Sequence, residues 1–175
     1  LLNIEEIFEN FDVAENMRVA DLGCGSASLF LAPFSRIVGK TGRVYAVDVV
    51  KSVLERIHSH AELEGMENIE TVWSDIETVG ATKIQEKTLD RAVIINVLFQ
   101  VEEVATIFRE AARLLRKGGK LLVVDWQDKD SPIGPSRVER LEKRELVSAA
   151  RQVGLIFERD FEAGPYHFGL IFIKS

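Results

Sequence analysis

With one cysteine, Cys24, in 175 residues, the chain cannot close an intramolecular disulfide, and nothing in it calls for an oxidising compartment. No charged-then-apolar leader with a cleavage site opens the sequence, so a cytoplasmic protein is expected. Apolar runs such as 92–99, which Asn96 interrupts, fall far short of the roughly 20 residues that cross a bilayer, and no membrane span is expected. Cations are in deficit: 22 Lys and Arg stand against 28 Asp and Glu, a net charge of -6. Nucleic-acid affinity rests on clustered Lys and Arg, so nucleic acid is not an expected partner. Of the 3 histidines, His58 and His60 lie two apart on one helical stretch. They point different ways and make poor metal ligands, so no metal is expected. Repeats, linkers and low-complexity tracts are missing as well.

What is present is a globular composition, 46% apolar and 29% charged, in a chain long enough to bury roughly two-thirds of the surface its unfolded form exposes. One domain over 1–175 is expected, with 1–17 as an N-terminal cover segment in which Ile4, Ile7, Phe8 and Phe11 have helical spacing. Strands are predicted at 18–22, 43–48, 69–73, 90–95 and 120–126, and two more at 155–161 and 166–174 around the connection Glu162-Ala163-Gly164-Pro165. Helices are predicted at 26–38, with Ser26 as N-cap and Pro33 forcing a kink or a late start, and at 50–65 with Val50, Val53, Leu54, Ile57 and Ala61 on one face. A third stripe, Val101, Val104, Ala105, Phe108, Ala112 and Leu115, predicts a helix ending at Arg116-Lys117-Gly118-Gly119. The weakly patterned 75–87 reads as one short helix, 127–136 as a loop, and 146–153 as the last helix. Alternation of strand and helix predicts a doubly wound α/β sheet, a Rossmann-like three-layer sandwich, mostly parallel with an antiparallel strand from the final hairpin.

In such sheets ligands sit at the carboxyl ends of the strands, beside strand one. The loops there carry Asp21, Gly23, Cys24 and Gly25; Asp48 and Val49; Ser74, Asp75 and Ile76; and Asn96 and Val97. A dinucleotide fingerprint would place its third glycine at Ser28 and would tolerate no acid against the pyrophosphate, so Ser28 and Asp21 argue against one. S-adenosylmethionine has no phosphate. Asp21 suits its positive end, Asp48 its ribose diol, Asp75 and the Ile76 N–H its adenine, and the amides of the glycine turn and helix start its carboxylate.

These residues resemble the motifs of class I S-adenosylmethionine-dependent methyltransferases, in the broad group that includes the ubiquinone/menaquinone-biosynthesis type. Asp21-Leu22-Gly23-Cys24-Gly25 resembles motif I, Ala46-Val47-Asp48 the ribose acid, and Ser74-Asp75-Ile76 the adenine loop. Leu89-Asp90-Arg91 through Asn96-Val97-Leu98-Phe99-Gln100-Val101 resembles motif IV, and Leu114-Leu115-Arg116-Lys117-Gly118-Gly119-Lys120-Leu121 the late helix-to-strand motif. The resemblance implies a seven-stranded sheet with an antiparallel seventh strand, methyl transfer from the sulfonium, and a small-molecule acceptor. Two positions depart from the pattern: Ala27 replaces a frequent third glycine, and Phe99-Gln100 stands where many relatives carry histidine.

The acceptor side is expected at Phe99, Gln100 and Trp126, with His167 and Tyr166 as candidate catalytic groups near the last connection. Cys24, flanked by glycines and without a histidine partner, reads as a small residue rather than a nucleophile. The alternative reading is a non-catalytic cofactor-binding or scaffold protein of the same fold; a nicotinamide oxidoreductase is disfavoured by Asp21.

Overall fold

The computed structural model describes residues 2–175, so Leu1 of the expected cover segment lies outside the described residues. The elements in chain order are α1 (Ile4–Asn10), β1 (Arg18–Leu22), α2 (Leu31–Val38), β2 (Arg43–Asp48), α3 (Lys51–Leu63), β3 (Ile69–Trp73), β4 (Leu89–Ile95), α4 (Val104–Leu114), β5 (Leu115–Trp126), α5 (Lys143–Gln152), β6 (Leu155–Gly164) and β7 (His167–Lys174). The seven strands form one sheet in the order β3-β2-β1-β4-β5-β7-β6. The first five in that order run parallel, and β7 is antiparallel to both β5 and β6. This is the doubly wound, three-layer architecture with an antiparallel last strand that the alternation predicts.

Strand side chains alternate between faces, and both faces here are covered. Val19, Val44, Val93 and Leu122 pack with Ile7, Phe34 and Leu54 from α1, α2 and α3. Ala20, Tyr45, Ala92 and Leu121 pack with Phe108 and Leu146 from α4 and α5. Each large side chain so buried contributes about 1.5–3 kcal/mol. No helix among the described residues is long and apolar enough to cross a membrane.

The cover segment is pinned by polar contacts as well as by Ile7 and Phe11. Buried Arg91 of β4 donates from Nε to the Asp12 carbonyl and from Nη2 to its carboxylate, both at 2.8 Å, and Lys120 reaches the same carboxylate at 3.3 Å. The Asn3 N–H donates to the Ala163 carbonyl at 2.8 Å, tying α1 to β6.

Five local expectations need correction. α2 takes the late start that Pro33 predicts, beginning at Leu31 with Pro33 in its first turn, so Ser26 is not its N-cap; a missing N–H there removes no helical bond. Val50 precedes α3 as its N-cap and is exposed rather than on the buried face. The third stripe stops at Leu114, because Leu115 enters the sheet opposite Leu89, and Arg116 and Lys117 therefore lie in β5 instead of a helical last turn. Residues 75–87 form turns, not a helix. Their order comes from α4: fully buried Glu110 accepts the Gly80 and Thr82 N–H groups at 2.7 and 3.1 Å, and Arg113 grips the same carboxylate bidentately at 2.7 and 2.8 Å. Burial alone would raise the Glu110 pKa, but these donors outweigh it and hold the carboxyl below its usual range. The final connection is also tighter than expected, with Pro165-Tyr166 alone between β6 and β7.

Candidate active site

A cavity of about 650 Å³ opens at the carboxyl ends of β1, β2, β3 and β4. Its wall contains Asp21, Gly23, Cys24, Gly25, Asp48, Val49, Ser74, Asp75, Ile76 and Asn96, the ten residues that sequence reasoning assigns to a cofactor, together with Gln100. The fold brings these together because four consecutive strand ends of one parallel sheet share one edge.

The turn after β1 is shaped by two backbone constraints. Gly23 and Gly25 have φ of +83° and +61°, a region that disfavours a Cβ. At Gly23 a Cβ would also lie 2.8 Å from a Val97 methyl, so the turn needs glycine twice over. The Gly23 and Cys24 N–H groups donate to the Val47 carbonyl at 2.9 and 3.0 Å, and Gly25 N–H to Asp48 Oδ2 at 2.9 Å. The glycine-turn amides are thus committed inside the protein. Among the described residues, the amides left free to meet an anionic group are those of 26–30, ahead of α2, whose N-cap makes no side-chain bond.

Asp48 is buried, and its Oδ1 accepts the Val50 N–H at 2.9 Å. It therefore braces the loops after β1 and β2 at once, and a carboxylate keeps further lone pairs for a ligand. Asp21 sits on the same sheet face, 3% exposed. Among the described residues no donor hydrogen-bonds its carboxylate. Burial first, and the neighbouring Asp48 charge second, push its pKa up to about 7. An unpaired carboxylate beside a second one inside a cavity is an electrostatic seat for a cation. The same surroundings raise the Cys24 thiol, by burial first and by Asp21 and Asp48 next, which keeps it protonated and unreactive.

Asp75 accepts the Glu77 N–H at 2.9 Å and the Thr78 hydroxyl at 3.3 Å, so it closes a turn instead of capping a helix. Asn96 takes a left-handed backbone, φ 55°, with its N–H on the Val124 carbonyl at 2.9 Å; its buried Oδ1 has no partner among the described residues. The loop after β4 is held by Asp125, a residue sequence reasoning missed. Its carboxylate accepts the Leu98 and Trp126 N–H groups at 3.2 and 2.8 Å, and burial pushes its pKa to about 6. The signal available was a lone acid in the apolar run Leu121-Leu122-Val123-Val124-Asp125-Trp126.

The acceptor-side candidates divide. Gln100 lines the cavity; Phe99, Trp126, Tyr166 and His167 do not. Trp126 and His167 face each other across β5 and β7, ring centroids 4.1 Å apart, both buried. Trp126 Nε1 and both His167 nitrogens lack partners among the described residues. Burial, with help from the Arg140 charge, lowers the His167 pKa to about 4, so the ring is neutral above that pH. Residues 127–141 fold over this pair. Arg140 ties the Gln127, Lys129 and Pro135 carbonyls together and lies 5.7 Å from the Trp126 ring centroid. Tyr166 accepts the Gln127 N–H at 2.8 Å through its carbonyl.

Comparison with known proteins agrees with this geometry. A family model described as a methyltransferase domain matches residues 14–155. The chain is 33% identical over 115 residues to the ubiquinone/menaquinone biosynthesis C-methyltransferase UbiE of Escherichia fergusonii, covering 65% of this chain and 44% of that protein. It is 29% identical over 122 residues to the methyltransferase GfsG of Streptomyces halstedii, covering 69% and 42%. The chain thus spans less than half the length of these curated relatives. Its fold matches an S-adenosylmethionine-dependent methyltransferase from Aquifex aeolicus at a TM-score of 0.89 and 24% identity, over 100% of this chain and 91% of that one. The acid-flanked glycine turn, the sheet order and the family match together place the chain among the class I S-adenosylmethionine-dependent methyltransferases.

Proposed function

We propose that the cavity binds S-adenosylmethionine and that the domain moves its methyl group to a small-molecule acceptor lying toward Gln100 and entering beneath 127–141 to Trp126 and His167, which are buried outside the cofactor cavity. The observation that carries the reading is the buried, unpaired Asp21 carboxylate beside Asp48. It repels phosphate and attracts an ammonium or sulfonium. Asp48 accepts the ribose hydroxyls while holding Gly25 and Val50; the amides of 26–30 receive the carboxylate; Asp75 and the Ile76 N–H take the adenine edge. The cofactor supplies an already activated methyl group. What the chain must add is alignment and a dry, charge-matched site.

On the acceptor side, the three orphaned nitrogens of Trp126 and His167 offer donors and, on neutral His167, one acceptor. Buried polar groups are normally satisfied, and these are satisfied when an oxygen-bearing acceptor reaches them. His167, neutral above pH about 4, orients that acceptor by hydrogen bonding. The names of the relatives, a ubiquinone/menaquinone C-methyltransferase among them, support a small-molecule acceptor.

Calorimetry with S-adenosylmethionine, S-adenosylhomocysteine and NADP tests the cofactor. Binding of the first two and none of the third is expected; the reverse pattern refutes the proposal. Turnover of methyl-labelled cofactor with metabolite extracts separates an enzyme from a cofactor-binding scaffold.

A further inference from the structure

Behind the turn that follows β1, between α2 and α3, lies a second cavity of about 270 Å³. Leu31, Ile57, Met66 and Ile69 form its apolar wall, and Arg56 and His60 stand in its lining. These two basic side chains are one turn apart on α3, on one face of the helix. Neither has an acidic partner among the described residues, whereas His58, on the next face, lies 3.5 Å from Glu62. No acid lines the cavity, in a chain whose acids exceed its bases by six; Glu55 borders the groove outside, which Arg56 and His60 also line. An apolar pocket that offers the Arg56 guanidinium and the His60 imidazole as donors and no acid is complementary to an amphiphilic anion.

We propose that this cavity binds a small amphiphilic anion, a carboxylate or phosphate monoester head at Arg56 and His60 with a short apolar body against Leu31 and Met66, and that the bound anion tightens cofactor binding next door. The cavity holds about nine water-sized groups at a water's share of about 30 Å³, which suits hexanoate. The coupling follows from a shared wall, since Ser26, Ala27, Ser28 and Val53 line both cavities. That wall is weakly braced. Ser28 has φ 39°, an unfavourable left-handed conformation for a serine, and among the described residues one long backbone bond, from the Leu31 N–H to the Ser28 carbonyl at 3.4 Å, closes it onto α2. A body packed behind it orders the amides of 26–30 before the cofactor arrives, and linkage makes the effect reciprocal. The anion site stands by itself; its effect on the cofactor rests on the reading proposed above.

The test is calorimetry of the whole chain with hexanoate, hexyl phosphate, hexylamine and inorganic phosphate, each with and without S-adenosylhomocysteine. Hexanoate or hexyl phosphate is expected to bind, the tighter of the two naming the head group, while hexylamine and inorganic phosphate stay silent. Arg56→Gln, a surface change, weakens the anion about fivefold or more, and Ala32→Leu, which fills the cavity, abolishes binding while S-adenosylhomocysteine still binds. Saturating anion lowers the S-adenosylhomocysteine Kd about three- to tenfold. Silence of both anions, equal binding of hexylamine or phosphate, or undiminished binding in both variants overturns the site. An unmoved S-adenosylhomocysteine Kd overturns the coupling. If the parent fails to bind S-adenosylhomocysteine at all, it is the cofactor reading that falls, and the anion titrations judge the second cavity alone.

Discussion

The Gly25 N–H donates to the Asp48 carboxylate at 2.9 Å, so the turn that ends β1 hangs from the acid that ends β2. One carboxylate thus sets the shape of the glycine turn and, through Val50 at 2.9 Å, the entry to α3. In Asp48→Ala both anchors go, together with the acceptors for a ribose diol. Two hydrogen bonds to a charged group, at about 1.5–3 kcal/mol each, amount to a loss of roughly a hundredfold or more in S-adenosylhomocysteine affinity. Calorimetry checks it, and an unchanged Kd would remove Asp48 from the site. Asp48→Asn, which keeps one acceptor oxygen, is expected to lose less.

Asp21 makes the protein's behaviour depend on pH. Its folded pKa, about 7, lies above the ordinary 3.8. The folded state therefore holds the proton more tightly than the unfolded chain, and stability falls as pH rises from about 4 through 7. The difference corresponds to about 4 kcal/mol. The Tm of the parent is expected to drop between pH 5 and pH 8, and that drop should shrink in Asp21→Asn. A sulfonium offsets the ionised form, whereas the neutral sulfur of S-adenosylhomocysteine does not. The preference for S-adenosylmethionine over S-adenosylhomocysteine should rise about tenfold as Asp21 ionises. A preference independent of pH in the parent would contradict this role.

Glu110→Gln tests the clamp on 75–87. The change leaves the Arg113 guanidinium without its carboxylate and weakens the seats of the Gly80 and Thr82 amides, at a cost of about 3 kcal/mol. Hydrogen exchange should quicken first at Gly80 and Thr82. Because Ser74, Asp75 and Ile76 lead into the same segment, cofactor affinity should weaken severalfold, far less than in Asp48→Ala. Exchange that quickens equally across β1 and β4 would mean global unfolding instead.

The contrast between these residues explains what could be read from the sequence. Strands 18–22, 43–48 and 69–73 coincide with β1, β2 and β3 residue for residue, because their apolar runs and the glycines and acids that end them are local signals. The same locality made Asp21, Asp48, Asp75 and Asn96 visible as strand-end polar residues. The 75–87 segment was opaque, since its order comes from Glu110 and Arg113, about thirty residues away. Leu115 continues a helical stripe in sequence, yet sheet pairing with Leu89 overrides it. Trp126 and His167 looked like cavity residues because each stands at a strand end, but the packing of 127–141 over them is a tertiary fact.

Gly134 offers a way to disturb the proposed acceptor side alone. Its φ is +86°, and a Cβ there would stand 2.5 Å from the Trp126 ring, so alanine suffers both an unfavourable backbone and a clash. The segment 127–141 is tied chiefly to itself, through Arg140 and through the Ser136–Glu139 pair. The strain should therefore lift the segment off Trp126 without unfolding the sheet. Limited proteolysis within 127–141 is expected to speed up severalfold in Gly134→Ala. No residue of the segment lines the cofactor cavity, so the S-adenosylhomocysteine Kd should stay within about twofold. Methyl turnover, measured from labelled cofactor with any acceptor-containing extract the parent can use, should fall by tenfold or more. Turnover that survives while the segment is cut rapidly would place the acceptor elsewhere, on the Gln100 side of the cavity, and would leave the orphaned nitrogens of Trp126 and His167 to a purely structural explanation.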